Sequence, residues 1–170
     1  MKSISRLAAC TAIAVAFGAF SPAVTSVASA GRKNSCFTIK DKERAFARKI
    51  NGARSGRGTH RVSLDKELSR VARRHTWEMD KNNSLYHTSS FQLRRRVTRW
   101  RVLGENVGIG ETVRSLHRAF MASPSHKQNV LRSDFHHVGV GVRRADSGRI
   151  WVTIIFEGHR DPGTRLRMCR

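Results

Sequence analysis

The amino-acid sequence predicts an α+β fold in which helices come first and a β-hairpin comes last. Apolar residues recur at helical spacing in three segments between residues 40 and 122. Further along, valine alternates with glycine over residues 138–142, and the turn sequence Asp146-Ser147-Gly148 leads into the apolar run 150–156. Together the two patterns indicate a layered domain that ends in a glycine-rich hairpin.

The first thirty residues have the pattern of a cleaved secretory signal peptide. Lys2 and Arg6 give a positive start, residues 7–20 form an uncharged apolar core, and Ala28-Ser29-Ala30 ends the segment with small residues. This core is shorter than the ~20 residues that span a bilayer, and no later segment is long and apolar enough. We therefore expect a signal peptide over residues 1–30, one domain over residues 31–170, and a secreted, extracellular or periplasmic location.

The first two helices are predicted from their apolar stripes. Residues 40–54 carry apolar side chains every three or four positions, and the glycines that follow end the stripe. Residues 64–80 carry a longer stripe, and Ser63 or Asp65 is the expected N-cap. Both segments therefore present one apolar face to a core.

The remaining elements are shorter. Thr112 is the expected cap of a third helix over residues 112–122, and Ser123 with Pro124 begins another short helix. Further predictions are a basic helix at residues 91–97, an extended piece at residues 102–107, and a central strand at residues 150–156 because that run is apolar on both faces.

The chain is strongly basic, since 33 Lys and Arg residues against 12 Asp and Glu give a formal net charge of +21. Much of this charge is dispersed arginine, without zinc-finger spacing, an RNA-recognition motif or a long low-complexity arm. The pattern predicts a solvated basic surface that adheres to polyanions in general. The expected partners are anionic envelope polymers, acidic lipids or another protein.

Cys36 and Cys169 are the two cysteines that remain after the predicted signal peptide. Export follows an oxidising route, in which a disulfide between them is the expected state and two free thiols are the alternative.

Several short strings occur in one order along the chain. They are Tyr86-His87-Thr88, Gly104-Glu105-Asn106-Val107, Ser123-Pro124-Ser125-His126-Lys127-Gln128-Asn129 and Val138-Gly139-Val140-Gly141-Val142. In this order they resemble the CAP superfamily, also called SCP-like, in its bacterial form. The resemblance covers about residues 41–157 and implies a three-layer α-β-α sandwich with a central cleft.

The resemblance also implies a set of cleft residues. In family members that bind metal, two histidines and acidic residues line the cleft, and His87 and Glu105 match one of each. His126 is the nearest candidate for the second histidine. The second glutamate has no match, since that stretch reads Arg118-Ala119-Phe120-Met121.

We therefore predict that His87, Glu105 and His126 come together, with Asn106 and Asn129 behind them and Ser123 in the same string. Two imidazoles and one carboxylate can form an open zinc site, so a divalent cation is one interpretation. The other is a structural polar cluster that needs no cofactor. His75 and His117 lie on apolar helical stripes and are predicted to be core or boundary residues, and His136-His137 to be a strand edge.

Three functions fit these observations. The first is a secreted, basic, monomeric CAP-domain protein that acts by binding and is not an enzyme. The second is a metal-dependent hydrolase that uses His87, Glu105 and His126. The third is a cationic antimicrobial or toxin-like factor. No nucleophile–base–orienter set can be named and the acidic complement of the cleft is reduced, which favours the first.

Overall fold

The computed structural model describes residues 37–160. The helices are α1 (Asp41–Ser55), α2 (Lys66–Lys81), α3 (Ser90–Arg96), α4 (Val113–Ala122) and α5 (Pro124–Leu131). The strands are β1 (Ser63–Leu64), β2 (Leu103–Gly110), β3 (His137–Arg144) and β4 (Ile150–Glu157). The predicted signal peptide and both Cys36 and Cys169 lie outside the described residues, so these two predictions stay predictions.

The described strands form one sheet in the order β1-β3-β4-β2. β3 and β4 make the predicted antiparallel hairpin, and Gly148 takes a φ of 81° in its turn. β2 pairs with the other side of β4, so β4 is central and every one of its residues is buried. β1 pairs only with the start of β3, which leaves most of β3 at the second edge of the sheet.

Helices cover both faces of this sheet. On one face, α1, α4 and α5 pack Phe46, Leu116 and Val130 into the main core. On the other face, Leu68 and Ala72 of α2 pack together with the rest of the second core cluster. This arrangement confirms the three-layer α-β-α sandwich.

The Val–Gly alternation of β3 has a direct packing reason. Val138, Val140 and Val142 all enter the main core. Gly139 and Gly141 face α2, where a Cβ atom would lie 2.1 Å from the carbonyl carbon of Leu68 and 2.3 Å from the backbone nitrogen of Arg73. The missing side chains therefore allow the α2 backbone to lie directly on β3.

The helix boundaries follow local capping. Asp65 caps α2 by accepting from the backbone nitrogen of Leu68 at 2.8 Å, which decides between the two predicted caps. Thr112 caps α4 through the nitrogen of Ser115, as predicted, and Pro124 occupies the first turn of α5. β2 extends to Gly110, beyond its predicted end, because its glycines fit under α4.

Arg54 is a fully buried arginine and not part of the basic surface. Its guanidinium donates to the carbonyl oxygens of His60, Val130, Arg132 and Phe135. Burial lowers the pKa of Arg54. The residue ties the end of α1 to the segment between α5 and β3. No helix within residues 37–160 is long and apolar enough to cross a membrane.

Candidate functional site

The predicted site residues lie around β2, at the edge of the sheet. Glu105 and Asn106 are neighbours in this strand, so their side chains point to opposite faces. Glu105 meets the loop between α2 and α3, and Asn106 meets α5. The cluster is therefore divided by the strand that carries it.

On the first face, Glu105 is a buried acceptor. Its Oε1 lies 3.0 Å from His87 Nδ1 and accepts from the backbone nitrogen of Thr88 at 2.8 Å. The glutamate side chain is 5% exposed, whereas the His87 side chain is 56% exposed. The carboxylate thus fastens the loop to β2, and the imidazole stays open to solvent.

His75 holds the same loop from beneath. Its Nε2 lies 2.9 Å from the carbonyl oxygen of Tyr86, and the Tyr86 ring packs edge-on at 5.0 Å. His75 is 1% exposed, which confirms the prediction of a core residue. Its contact with the residue before His87 gives it a positioning role that sequence reasoning missed, because the helical stripe predicts burial and not a partner.

On the second face, two asparagines connect β2 to α5. Asn129 donates to the carbonyl oxygen of Glu105 at 3.1 Å and to Asn106 Oδ1 at 2.9 Å. Asn106 in turn donates to the carbonyl oxygen of His126 at 3.0 Å. These bonds satisfy polar groups inside the fold and fix the start of α5 against the sheet.

The His126 ring reaches the edge of β2 near His87. The two ring centroids are 6.3 Å apart, and His126 also packs edge-on against Phe120 at 5.1 Å. Burial, and then the nearby His87, lower the pKa of His126 below its ordinary value of 6.5. The imidazole is therefore neutral at pH 7, the form that can accept a hydrogen bond or bind a metal.

Ser123 is the boundary residue between α4 and α5. Its nitrogen donates to Ala119, its carbonyl oxygen accepts from Lys127, and its hydroxyl lies 3.4 Å from that of Ser125. The contacts of Ser123 therefore serve the helix junction.

The donor types of the cluster suit zinc, but their arrangement does not. Within residues 37–160, no three His, Cys, Asp or Glu side chains group closely enough to hold a metal ion. Glu105 Oε1 already accepts from His87 and Thr88, while Glu105 Oε2 is buried without a partner among the described residues. His87, Glu105 and His126 do not form a zinc site as they are placed, and zinc binding stays a prediction.

The fold and the cluster define a three-layer α-β-α domain with a histidine–glutamate pair at one edge of its sheet. The model of the cysteine-rich secretory protein family, CAP, matches residues 47–156. The chain belongs to this family, which confirms the resemblance found in the sequence.

Similar proteins are found in bacteria. The chain is 28% identical over 136 residues to the uncharacterized protein YkwD from Bacillus subtilis, covering 74% of this chain and 52% of that protein. Among solved structures, an extracellular SCP-domain protein from Bacillus anthracis has a TM-score of 0.62 at 22% identity, over 69% of this chain and 40% of its own. An outer surface protein from Borrelia burgdorferi has a TM-score of 0.65 at 17% identity, over 71% and 94%. The chain thus spans about half of the Bacillus subtilis relative, and the structural likeness supports the fold.

Proposed function

We propose that this chain is an extracellular, non-catalytic CAP-domain protein that binds anionic polymers of a cell envelope. The observation that carries the proposal is the way in which charges are paired. Many of the described acidic side chains are engaged within the fold, while many of the basic ones face solvent.

Three buried or half-buried carboxylates illustrate this pairing. Glu43 is held by Arg73, Glu78 by Arg74 and Arg96, and Asp80 by Arg143. These ion pairs neutralise only a small part of the excess positive charge of the chain. Exposed arginines that remain include Arg44, Arg48, Arg57, Arg61, Arg70, Arg94, Arg95, Arg99, Arg114 and Arg118. A surface of this kind attracts polyanions over a wide area.

The names of two relatives support an extracellular location. One structural neighbour is described as an extracellular protein and another as an outer surface protein. The predicted signal peptide over residues 1–30 points the same way.

The cluster around β2 supports a binding role rather than catalysis. Glu105 holds a loop, and Asn106 and Asn129 hold α5, so the hydrogen bonds of these polar groups stabilise the fold. A protease needs an activated water and a group that stabilises the oxyanion. The described contacts of the cluster supply neither.

The test is a salt titration of binding to teichoic acid, heparin and double-stranded DNA. Each bound phosphate or sulfate releases counterions, so affinity should fall steeply with salt and in parallel for the three polymers. Absence of binding at low salt, or salt-insensitive binding to one polymer alone, would contradict the proposal.

The metal-dependent alternative is tested in the same material. Calorimetry with zinc is carried out on the wild type and on His87→Ala, and binding to the polymers is repeated with a chelator. Polymer binding that survives chelation supports the proposal. Zinc binding that is lost in His87→Ala, together with hydrolysis that stops in chelator, would replace it with the hydrolase.

A further inference from the structure

A concave site lies at the opposite edge of the sheet from the cluster around β2. It is a cavity of about 570 Å³ beside the end of β3, in the size range of small-ligand pockets. Its lining includes Lys42, Arg73, Arg143, Arg144, the exposed ring of Trp77 and a single acidic residue, Asp41. None of the motifs of the sequence analysis predicts it.

Two ion pairs build the walls of this pocket. Arg73 of α2 donates through two nitrogens to Glu43 of α1, and each contact is 2.6 Å long. The Glu43 side chain is 0% exposed, so this pair is a fixed link between the two helices. Arg143 of β3 makes one contact with Asp80 of α2, whose side chain is 12% exposed. The pocket is therefore formed by three elements that are locked to one another.

The charge that remains in the pocket is positive. Lys42 is exposed, and Arg144 donates through one nitrogen to the carbonyl oxygen of Gly148, which leaves other guanidinium donors for a ligand. Asp41 offsets only part of this charge. An anion that enters the pocket thus meets more positive charge than the neighbouring carboxylates neutralise.

The edge of β3 adds backbone groups to the lining, because none of the described strands pairs with β3 beyond Val138 on the side away from β4. In an antiparallel strand, every second residue turns its N–H and C=O to the same side. The carbonyl oxygen of Val138 accepts from Asp65, and the nitrogen of Val140 donates to Ser69, so both face away from β4. The polar backbone groups of Val142 face the same way, and Val142 lines the pocket.

Trp77 gives the pocket an apolar face. Its side chain is on α2, is 47% exposed, and has the Lys81 ammonium 5.0 Å from its ring centroid. A flat, exposed indole beside cations suits a ligand with one apolar face and one charged group, which describes a sugar ring that carries an anion. A single exposed ring does not suit single-stranded nucleic acid, which needs successive rings along a groove.

We infer that this pocket binds an anionic saccharide unit, with the sugar against Trp77 and its phosphate or carboxylate against Lys42 and Arg144. The inference rests on the proposed function and deepens it, because it names the part of an envelope polymer that the domain recognises. The phosphate of a teichoic acid and the carboxylate of a uronic-acid polymer share this chemistry.

The experiment compares two sets of variants of the full chain. Trp77→Ala and the double variant Lys42→Gln/Arg144→Gln change the pocket. Trp100→Ala and Arg94→Gln/Arg95→Gln likewise remove one indole and two positive charges, from an exposed surface where Arg94 also lies over the Trp100 ring. Affinity is measured for glycosylated teichoic acid, for polyglucuronate and for neutral dextran, and thermal unfolding confirms that each variant is folded.

We expect both pocket variants to lose at least about tenfold in affinity for one anionic glycan, while the matched variants lose no more than about threefold. The glycan that shows this difference identifies the phosphate or the carboxylate as the ligand. Equal losses in the two sets, or binding of dextran as tight as that of the anionic glycans, would overturn the inference and leave the proposed function standing. Absence of wild-type binding to all polyanions would contradict both.

Discussion

At the scale of single residues, Glu105 is the side chain of the cluster around β2 that connects the strand to the loop between α2 and α3. Its buried carboxylate accepts from the Thr88 nitrogen and contacts His87, so it joins a loop to an edge strand. His87 is the exposed partner in this pair and contributes less to stability, because its ring nitrogen can form a hydrogen bond with water instead.

We predict that Glu105→Ala lowers the free energy of unfolding by about 1–3 kcal/mol, because the buried Thr88 nitrogen loses its acceptor. Glu105→Gln keeps one carbonyl oxygen and should cost less. The exposed Glu111, 4.0 Å from Arg149, provides the control, and Glu111→Ala should change stability by no more than about 0.5 kcal/mol. Urea unfolding measures all three, and equal effects of Glu105→Ala and Glu111→Ala would show that the Glu105 contacts are dispensable.

His126 should make the domain sensitive to acid. Its pKa is lowered in the folded state by burial and by His87, so the unfolded chain takes up the proton first as the pH falls below 6.5. The stability that this residue contributes is present above pH 6.5 and is lost as the pH falls through the folded-state pKa.

We therefore predict that His126→Gln loses less stability than the wild type between pH 7.5 and pH 5. Chemical unfolding across this range gives the two curves, and their difference isolates His126 from other titrating groups. Parallel curves would mean that the His126 environment does not disfavour the imidazolium.

At the scale of elements, the contact between α2 and β3 depends on two glycines. A Cβ atom on Gly141 would lie 2.3 Å from the Arg73 nitrogen, and this atom belongs to the helix backbone and cannot rotate away. Gly52, within α1, has no atom within 4 Å of a built Cβ. The two positions make a matched pair for one substitution.

Gly141→Ala should destabilise the domain by at least about 2 kcal/mol, since α2 must move off the sheet. Gly52→Ala should stabilise it by about 0.5–1 kcal/mol through helix propensity. Thermal and urea unfolding measure the change in stability of each variant, which should be a loss for Gly141→Ala and a gain for Gly52→Ala. A Gly141→Ala variant as stable as the wild type would contradict the close packing of α2 on β3.

The elements could be predicted where a local pattern specifies them. The Val–Gly alternation, the cap at Thr112 and the boundary at Ser123 and Pro124 are all readable within a few residues. β1 was missed because a strand of two residues has no period, and it exists only through its pairing with β3. The position of a strand in the sheet order depends likewise on distant partners.

The two sites likewise could be predicted only where the sequence itself links their residues. His87 and Glu105 could be brought together in advance because the family resemblance links their two strings. The β3 pocket could not be predicted, since Lys42, Trp77 and Arg144 lie in separate elements that meet only after folding. The burial of Arg54 has no signal in the sequence either, because its four carbonyl partners are far away in sequence or lie in loops.

At the scale of the whole molecule, the two edges of the sheet have different surroundings. The His87 loop and α5 meet around β2 at one edge. Two arginines, Arg143 and Arg144, stand at the end of β3 at the other edge, where charge discourages pairing with a further strand. The same charges that protect this edge create the cationic pocket.

At the same scale, two cysteines flank all the described elements of the domain. Cys36 directly precedes the first described residue, and Cys169 lies near the end of the chain. A disulfide between them would close a loop that includes every described element, and the chain-entropy model gives up to roughly 5 kcal/mol of stabilisation for a loop of this length. We expect peptide mapping of non-reduced secreted protein to find this pair, and we expect reductant to lower the melting temperature of the wild type. The double variant Cys36→Ser/Cys169→Ser should melt at the lower temperature with or without reductant. Two thiols that alkylate freely in native secreted protein, or a melting temperature that reductant does not change, would show that the domain is stable without the bond.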